Sequence, residues 1–229
     1  MKNIIITGAN GNLGSAVTEK FLSKEYNVIA TVENQEAIHS LHVHPNLHVH
    51  AVNLTNEKET AAFIAEAIST YKTIDGALLL VGGFAMGGID SAAGDDLKKQ
   101  YSLNFETAYF VARPLFTHMM KKGYGRLVFV GARPALDASA GKNLVAYGLS
   151  KSLLFKLAEF LNQAAKGKNV TATVIVPSTI DTPQNRQGMP KANPDDWVKP
   201  NQIADIMEII CSETGLPLRE SVIKIYGNS

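Results

Sequence analysis

Asn3-Ile4-Ile5-Ile6-Thr7 runs directly into Gly8-Ala9-Asn10-Gly11-Asn12-Leu13-Gly14, and this stretch decides the fold. The apolar run reads as a short strand. Beyond it Leu13, Val17 and Phe21 recur four apart with Ala16 beside them, which is one face of a helix. Between the two lies a glycine turn. Gly8 can take the tight bend, Gly11 leaves room for a pyrophosphate, and Gly14 lets the helix pack closely on the strand. The first amides of a helix carry partial positive charge and suit phosphate oxygens. Gly8, Asn10, Gly11, Asn12, Leu13 and Gly14 are therefore the candidate cradle for a dinucleotide. An ordinary glycine-rich turn is the competing account.

The same change of period recurs along the chain. Tyr26 to Val32, Leu47 to Val52, Ala77 to Val81, Arg126 to Gly131, Val170 to Val176 and Val222 to Tyr226 read as further strands. Asn56 with Glu59 three residues on reads as a helix start, followed by Phe63, Ile64, Ala67, Ile68 and Tyr71 on one stripe. Helical spacing returns around residues 95–122, with a break expected near Leu103, and over 147–165 and 201–211. About seven strands alternating with helices, too far apart for hairpins, call for a parallel sheet with right-handed crossovers. The expected architecture is an α/β, doubly wound Rossmann sheet with helices on both faces, spanning 1–229 as a single domain.

Composition narrows the function classes. The chain has 229 residues, 22 Lys plus Arg against 21 Asp plus Glu, and a formal net charge of +1. That balance favours neither nucleic acid nor an anionic membrane as partner. No apolar run approaches the roughly 20 residues of a membrane span, and Met1 to Thr7 has no signal-peptide shape. One cysteine, Cys211, excludes an intrachain disulfide and a thiolate zinc cluster. A soluble chain in the reducing cytoplasm is the expectation.

Open parallel sheets bind ligands beyond the carboxyl ends of their strands, so the residues there are the candidates. Glu33 ends the second strand, where a carboxylate can accept hydrogen bonds from adenosine ribose and would repel a 2′-phosphate. No basic residue lies between Tyr26 and His39, so NAD(H) is favoured over NADP(H). Asn53 and Leu54 follow the third strand, where an adenine edge could sit, although a polar turn explains Asn53 equally well. Gly82-Gly83-Phe84-Ala85-Met86-Gly87-Gly88 follows the fourth, and Gly82 and Gly83 are placed to face the coenzyme.

Tyr147 and Lys151 stand four apart at the start of a helix and so share a face. A free phenol has a pKa near 10. A neighbouring ammonium favours phenolate, and bringing the group near neutrality needs roughly 4 kcal/mol. Lys151 could also bind the nicotinamide ribose. Tyr147 is the candidate proton donor.

With these residues in place the chain resembles the short-chain dehydrogenase/reductase family over nearly its whole length, through Thr7 to Gly14, Gly82, Asn104, Tyr147 with Lys151, and Pro177 with Thr182. The resemblance implies that Tyr147 exchanges the proton, that Lys151 binds ribose and lowers the Tyr147 pKa, and that Asn104 holds a proton-relay water. It also implies that Pro177, Ile180 and Thr182 lie beside the carboxamide. Two positions depart from the family pattern. Asn12 stands where the commoner branch has glycine. Ala132 occupies the place of the usual Ser at the end of the fifth strand, with Ser139 a weak substitute. In detail the chain is most similar to quinonoid dihydropteridine reductases, through Gly82-Gly83-Phe84-Ala85, Gly131-Ala132, Thr179 to Pro183, Asn185-Arg186, Met189-Pro190 and Trp197. That resemblance implies hydride transfer from NADH to a cyclic imine or quinonoid, pteridine-like substrate, or to a carbonyl. The alternative is a dinucleotide-binding redox sensor without catalysis.

Other features carry less. Five of the six histidines lie between residues 39 and 50, but they lack the carboxylates or thiols of a metal site, and none is expected. Trp197 is placed to cover the crevice, as a lid or as a packing anchor. Cys211 is expected in the core. The helices near 105–121 and 147–165 are apolar enough to pair with a second subunit, giving a homodimer or homotetramer.

Overall fold

A computed structural model describes residues 1–228. Strand β1 (Asn3–Thr7) leads through the glycine turn into helix α1 (Asn12–Ser23) and β2 (Asn27–Val32). After a 3-10 turn come β3 (Leu47–Ala51), α2 (Glu57–Tyr71) and β4 (Gly76–Leu79). Helix α3 (Gly94–Tyr101) passes through a π-helical turn, Ser102–Glu106, into α4 (Thr107–Lys122) and β5 (Tyr124–Val130). A short α5 (Ala138–Gly141) precedes α6 (Val145–Ala164) and β6 (Asn169–Pro177). Then come α7 (Pro183–Gly188), α8 (Pro200–Cys211) and β7 (Val222–Ile225).

All seven strands join one parallel sheet in the order β3-β2-β1-β4-β5-β6-β7. The winding direction reverses between β1 and β4, and such a reversal opens a crevice at the carboxyl edge. Alternation divides each strand between two cores. Ile5, Ile29, Ala77, Leu79 and Phe129 pack with residues of α2, α4 and α6. Ile4, Ile6, Val28, Leu78 and Val128 pack with residues of α1 and α8. A strand covered on both faces needs apolar residues at every position, which is why these strands read as unbroken runs.

Local sequence accounts for several boundaries. Asn56 caps α2, its side chain accepting from the amides of Lys58 and Glu59. Glu59 does not turn back to Asn56 as a capping box would; its Oε1 accepts from Asn53 N at 2.7 Å. The break expected near Leu103 is the π-helical turn, not a chain reversal. Helix α7 was not visible in the apolar pattern, because its residues are exposed or half-buried and carry no core face.

No helix among the described residues is long and apolar enough to cross a membrane. Nor do three or more His, Cys, Asp or Glu side chains among them cluster as metal ligands would. His48 packs on Tyr71 and His50 on Phe63. Trp197 is buried, so of its two readings the structure favours the packing anchor. Cys211, the last residue of α8, is buried in the core, and burial pushes its thiol up to about 12.

Candidate active site

The crevice is built from the loops that leave the carboxyl ends of β1, β2, β4, β5 and β6. At β1 the backbone of Gly8 turns at φ +64°, a conformation that favours glycine. A Cβ on Gly14 would collide with the Gly8 carbonyl oxygen and with Ala9, so the close approach of α1 to the turn requires glycine there. Asn10, Gly11 and Asn12 are exposed and Leu13 half-buried. The first amides of α1 have no helical acceptor by geometry. No side chain caps them, and no acid lies in the first turn. An uncapped, acid-free helix start behind a bare glycine turn fits a pyrophosphate. Asn12 Nδ2 instead reaches across to Gln184 Oε1 on α7, at 2.7 Å.

Glu33 is exposed just beyond β2 and makes no ion pair among the described residues. Asn53 is occupied as a turn residue: its Oδ1 accepts from Thr55 N at 3.1 Å and from Thr55 Oγ1 at 2.6 Å. The Leu54 side chain is buried in the core with Phe63 and Ile64. The tight turn into α2 uses the Asn53 Oδ1 and the core takes the Leu54 side chain, while the exposed Asn53 amide nitrogen has no hydrogen-bond partner among the described residues.

Beyond β4, Gly82 is exposed and Gly83 half-buried. A Cβ on Gly82 would stand 2.7 Å from Asn104 Oδ1 and 2.9 Å from Lys151 Nζ. Three elements therefore converge on this glycine. Asn104, in the π-helical turn, is fully buried. Its Oδ1 accepts from Gly83 N at 2.8 Å, and its Nδ2 donates to Gly83 O at 3.0 Å. Gln100 and Ser150 complete its surroundings.

Tyr147 and Lys151 lie in the first two turns of α6. The Tyr147 ring is half-buried, with Phe84 edge-on at 5.2 Å between centroids, and its hydroxyl has no hydrogen-bond partner among the described residues. Lys151 is buried, and its Nζ donates to Val130 O at 2.8 Å. Burial lowers the ammonium to about 8 and pushes the Tyr147 phenol up to about 12. Burial thus moves the phenol in the direction opposite to that expected from Lys151. Desolvation governs both groups, and the ammonium makes a single bond, to the Val130 carbonyl. A phenol in that range is fully protonated near neutrality and can donate a proton.

Ala132, buried after β5, offers no hydroxyl, and Ser139 is exposed with its Oγ on Asp137 Oδ1 at 2.6 Å. After β6, Pro177 is buried as the last strand residue, and Ile180 forms a bridge to Val198. The Thr182 side chain caps α7 by accepting from Asn185 N at 3.2 Å. Between Ile180 and Thr182, Asp181 grips Arg186 through two bonds and Lys199 through a third, which holds its carboxyl far below the usual range. This clamp fixes the base of α7. The sequence pattern missed Gln100 and Ser150, although Gln100 stands four residues before Asn104 on the same helical run. A cavity of about 470 Å³, lined by Lys2, Asp75, Tyr124 and Glu213, opens instead at the amino ends of the strands.

Comparison with known proteins agrees with this geometry. Residues 2–193 match the family described as short chain dehydrogenase. A dihydropteridine reductase of Dictyostelium discoideum is 28% identical over 237 residues, covering 100% of this chain and 96% of the relative. An NADP-dependent 3-hydroxy acid dehydrogenase of Escherichia coli is 23% identical over 181 residues, covering 77% of this chain and 72% of the relative. Among solved structures, ElxO with NADP bound superposes with a TM-score of 0.90 at 19% identity, over 99% of this chain and 97% of that one. The match spans the glycine turn, the tyrosine–lysine helix and the loop that follows β6, and the chain is an oxidoreductase that belongs to the short-chain dehydrogenase family.

Proposed function

We propose that the protein is an NADH-dependent reductase of a cyclic imine or quinonoid, pteridine-like substrate, with Tyr147 as proton donor. The observation that carries this reading is the Tyr147 hydroxyl. It is unpartnered, protonated to about 12, and set one helical turn from the buried Lys151 at the carboxyl edge of the sheet. When bound, the nicotinamide supplies the hydride. The glycine turn from Gly8 to Gly14 would hold the pyrophosphate, and Gly82, Gly83, Pro177, Ile180 and Thr182 would flank the nicotinamide half. Lys151 spends one of its three donors on Val130 O and keeps two for ribose hydroxyls. Glu33 favours NADH: the exposed carboxylate can accept from ribose hydroxyls, and no Lys or Arg lies nearby in sequence to bind a 2′-phosphate.

The proton leaves Tyr147 Oη for a substrate nitrogen or oxygen, and solvent replaces it. Ala132 bears on which substrate. A ketone would lose the hydroxyl contact that polarises its oxygen, whereas a conjugated imine accepts hydride without that contact. Carbonyl reduction is therefore the weaker branch of the proposal. Phe84, exposed and packed against Tyr147, gives a planar ring a surface to lie on. The same reading takes 1–229 as one cytoplasmic catalytic unit. It pairs with a second copy, as homodimer or homotetramer, through the apolar face of α6, where Leu149, Leu153 and Phe160 are exposed.

Replacing Tyr147 by Phe tests the assignment. Turnover with a quinonoid dihydropteridine should fall at least about 10²-fold, with NADH affinity nearly intact; unchanged turnover ends it. The missing hydroxyl at Ala132 favours a second reading, a dinucleotide-binding redox sensor. Steady NADH oxidation with the pterin, above a no-substrate control and a panel of ketones, excludes that reading, and its absence supports it.

A further inference from the structure

Gln100, Asn104 and Ser150 are all buried, at 3%, 1% and 3% exposure. Asn104 Nδ2 faces three acceptors: Gly83 O at 3.0 Å, Gln100 Oε1 at 2.8 Å and Ser150 Oγ at 3.0 Å. An amide nitrogen has only two hydrogens. Asn104 Oδ1 accepts from Gly83 N, so the side chain pairs both polar groups of Gly83 as a neighbouring strand would. Ser150 Oγ in turn donates to Tyr147 O at 2.8 Å. The chain of contacts runs from α3, through the π-helical turn, to the loop after β4 on one side and to the tyrosine-bearing turn of α6 on the other. A π-helical turn re-aims one residue out of the α-helical register, a distortion common at functional sites. Here that residue is Asn104.

We propose that Gln100 and Ser150 are positioning residues for the reaction. They hold the Asn104 amide flat against Gly83, and so fix the spacing between the Gly82–Gly83 backbone and the Tyr147–Lys151 pair. Neither touches the reacting groups; Gln100 acts through Asn104, and Ser150 links Asn104 to the Tyr147 backbone carbonyl. Gly82 shows how little slack the spacing has, since a Cβ there would meet Asn104 Oδ1 at 2.7 Å and Lys151 Nζ at 2.9 Å. The proposal rests on the reading of this crevice as the reacting edge.

The acceptor count makes the proposal testable. With three acceptors for two hydrogens, loss of either Gln100 or Ser150 leaves the amide satisfied. Loss of both leaves a buried N–H with no partner, which is costly. Gln100→Met and Ser150→Ala should each leave the NADH Kd and kcat within about twofold of the parent. The double variant should raise the NADH Kd or lower kcat at least about tenfold, or about 1.4 kcal/mol. Gln100→Met with Ser150→Thr, which restores a hydroxyl, should return to the level of the single variant. The proposal is overturned if the double effect is the product of the single effects, if threonine fails to rescue, or if only thermal stability changes.

Amide exchange at Gly83 provides a reading independent of turnover and of a double variant that fails to fold. The Gly83 N–H should exchange slowly in the parent and in both single variants, and rapidly in Asn104→Ala. Fast exchange in the parent or in either single variant overturns the proposal. If no substrate is turned over but the exchange pattern holds, the functional reading fails and the positioning network stands.

Discussion

Lys151→Met should stabilise the protein without coenzyme while abolishing its chemistry. Lys151 is 5% exposed, and its ammonium meets one carbonyl, Val130 O, and no carboxylate among the described residues. Burial lowers the group from its ordinary 10.5 to about 8. At 1.36 kcal/mol per pH unit, carrying that charge at neutral pH costs the fold about 3 kcal/mol. The variant loses the charge-assisted bond to Val130 O, worth about 2 kcal/mol, so a net gain of about 1 kcal/mol is expected at pH 7. The sign follows from linkage. Between pH 8 and 10.5 the unfolded chain holds a proton that the folded chain has released, so stability rises with pH through that window. The depressed pKa therefore contributes its stability above 10.5 and loses it as pH falls through 8. Urea denaturation of parent and variant at pH 7 and pH 10.5 measures both effects. The balance should move against the variant by about 3 kcal/mol at the higher pH, while NADH affinity and turnover are lost throughout. A variant less stable than the parent at pH 7, or an advantage that ignores pH, would show that Lys151 is a structural cation well compensated by the fold.

Four further outcomes are expected. Tyr147→Phe removes an oxygen without a hydrogen bond, so its melting midpoint should stay within the shift of about 0.5 kcal/mol common to surface changes while turnover collapses; a large loss of stability would point to a structural phenol. Glu33→Arg should shift the ratio of kcat/KM for NADH over NADPH at least about tenfold towards NADPH, about 1.4 kcal/mol; an unchanged ratio removes Glu33 from coenzyme choice. Gly82→Ala should cost about 1–3 kcal/mol of stability through overpacking and weaken NADH binding, both read from one titration series; normal binding would mean that Asn104 and Lys151 yield easily. If the proposed pairing through α6 holds, Phe160→Glu, at a ring 66% exposed, should halve or quarter the mass measured by sedimentation; an unchanged mass rejects that pairing.

Much of the fold could be read before any coordinates. The run Ile4-Ile5-Ile6 and the stretch Ala77 to Val81 are apolar at every position because helices cover both faces of the sheet, and that pattern is local. The break near Leu103 was also local, although its form, a π-helical turn that aims Asn104 at Gly83, was not. Tyr147 and Lys151 were found from a spacing of four, which any helix imposes. Asn53 and Leu54 follow a strand, and the structure sets the Asn53 Oδ1 in a turn and the Leu54 side chain in the core, placements that no periodicity encodes. Helix α7 escaped because its six residues carry no buried face.

The sequence by itself determined the order of strands and helices, the glycine turn, and the spacing of the tyrosine and lysine. These follow from periodicity and backbone sterics within a few residues. Only the tertiary structure decided that Lys151 would face a carbonyl, that burial would push the Tyr147 phenol up to about 12, and that Trp197 would be an anchor. It alone decided that Ser150 would meet Asn104 from 46 positions away. Desolvation and long-range hydrogen bonds depend on what the fold brings alongside a residue, and no pattern local to the chain encodes that.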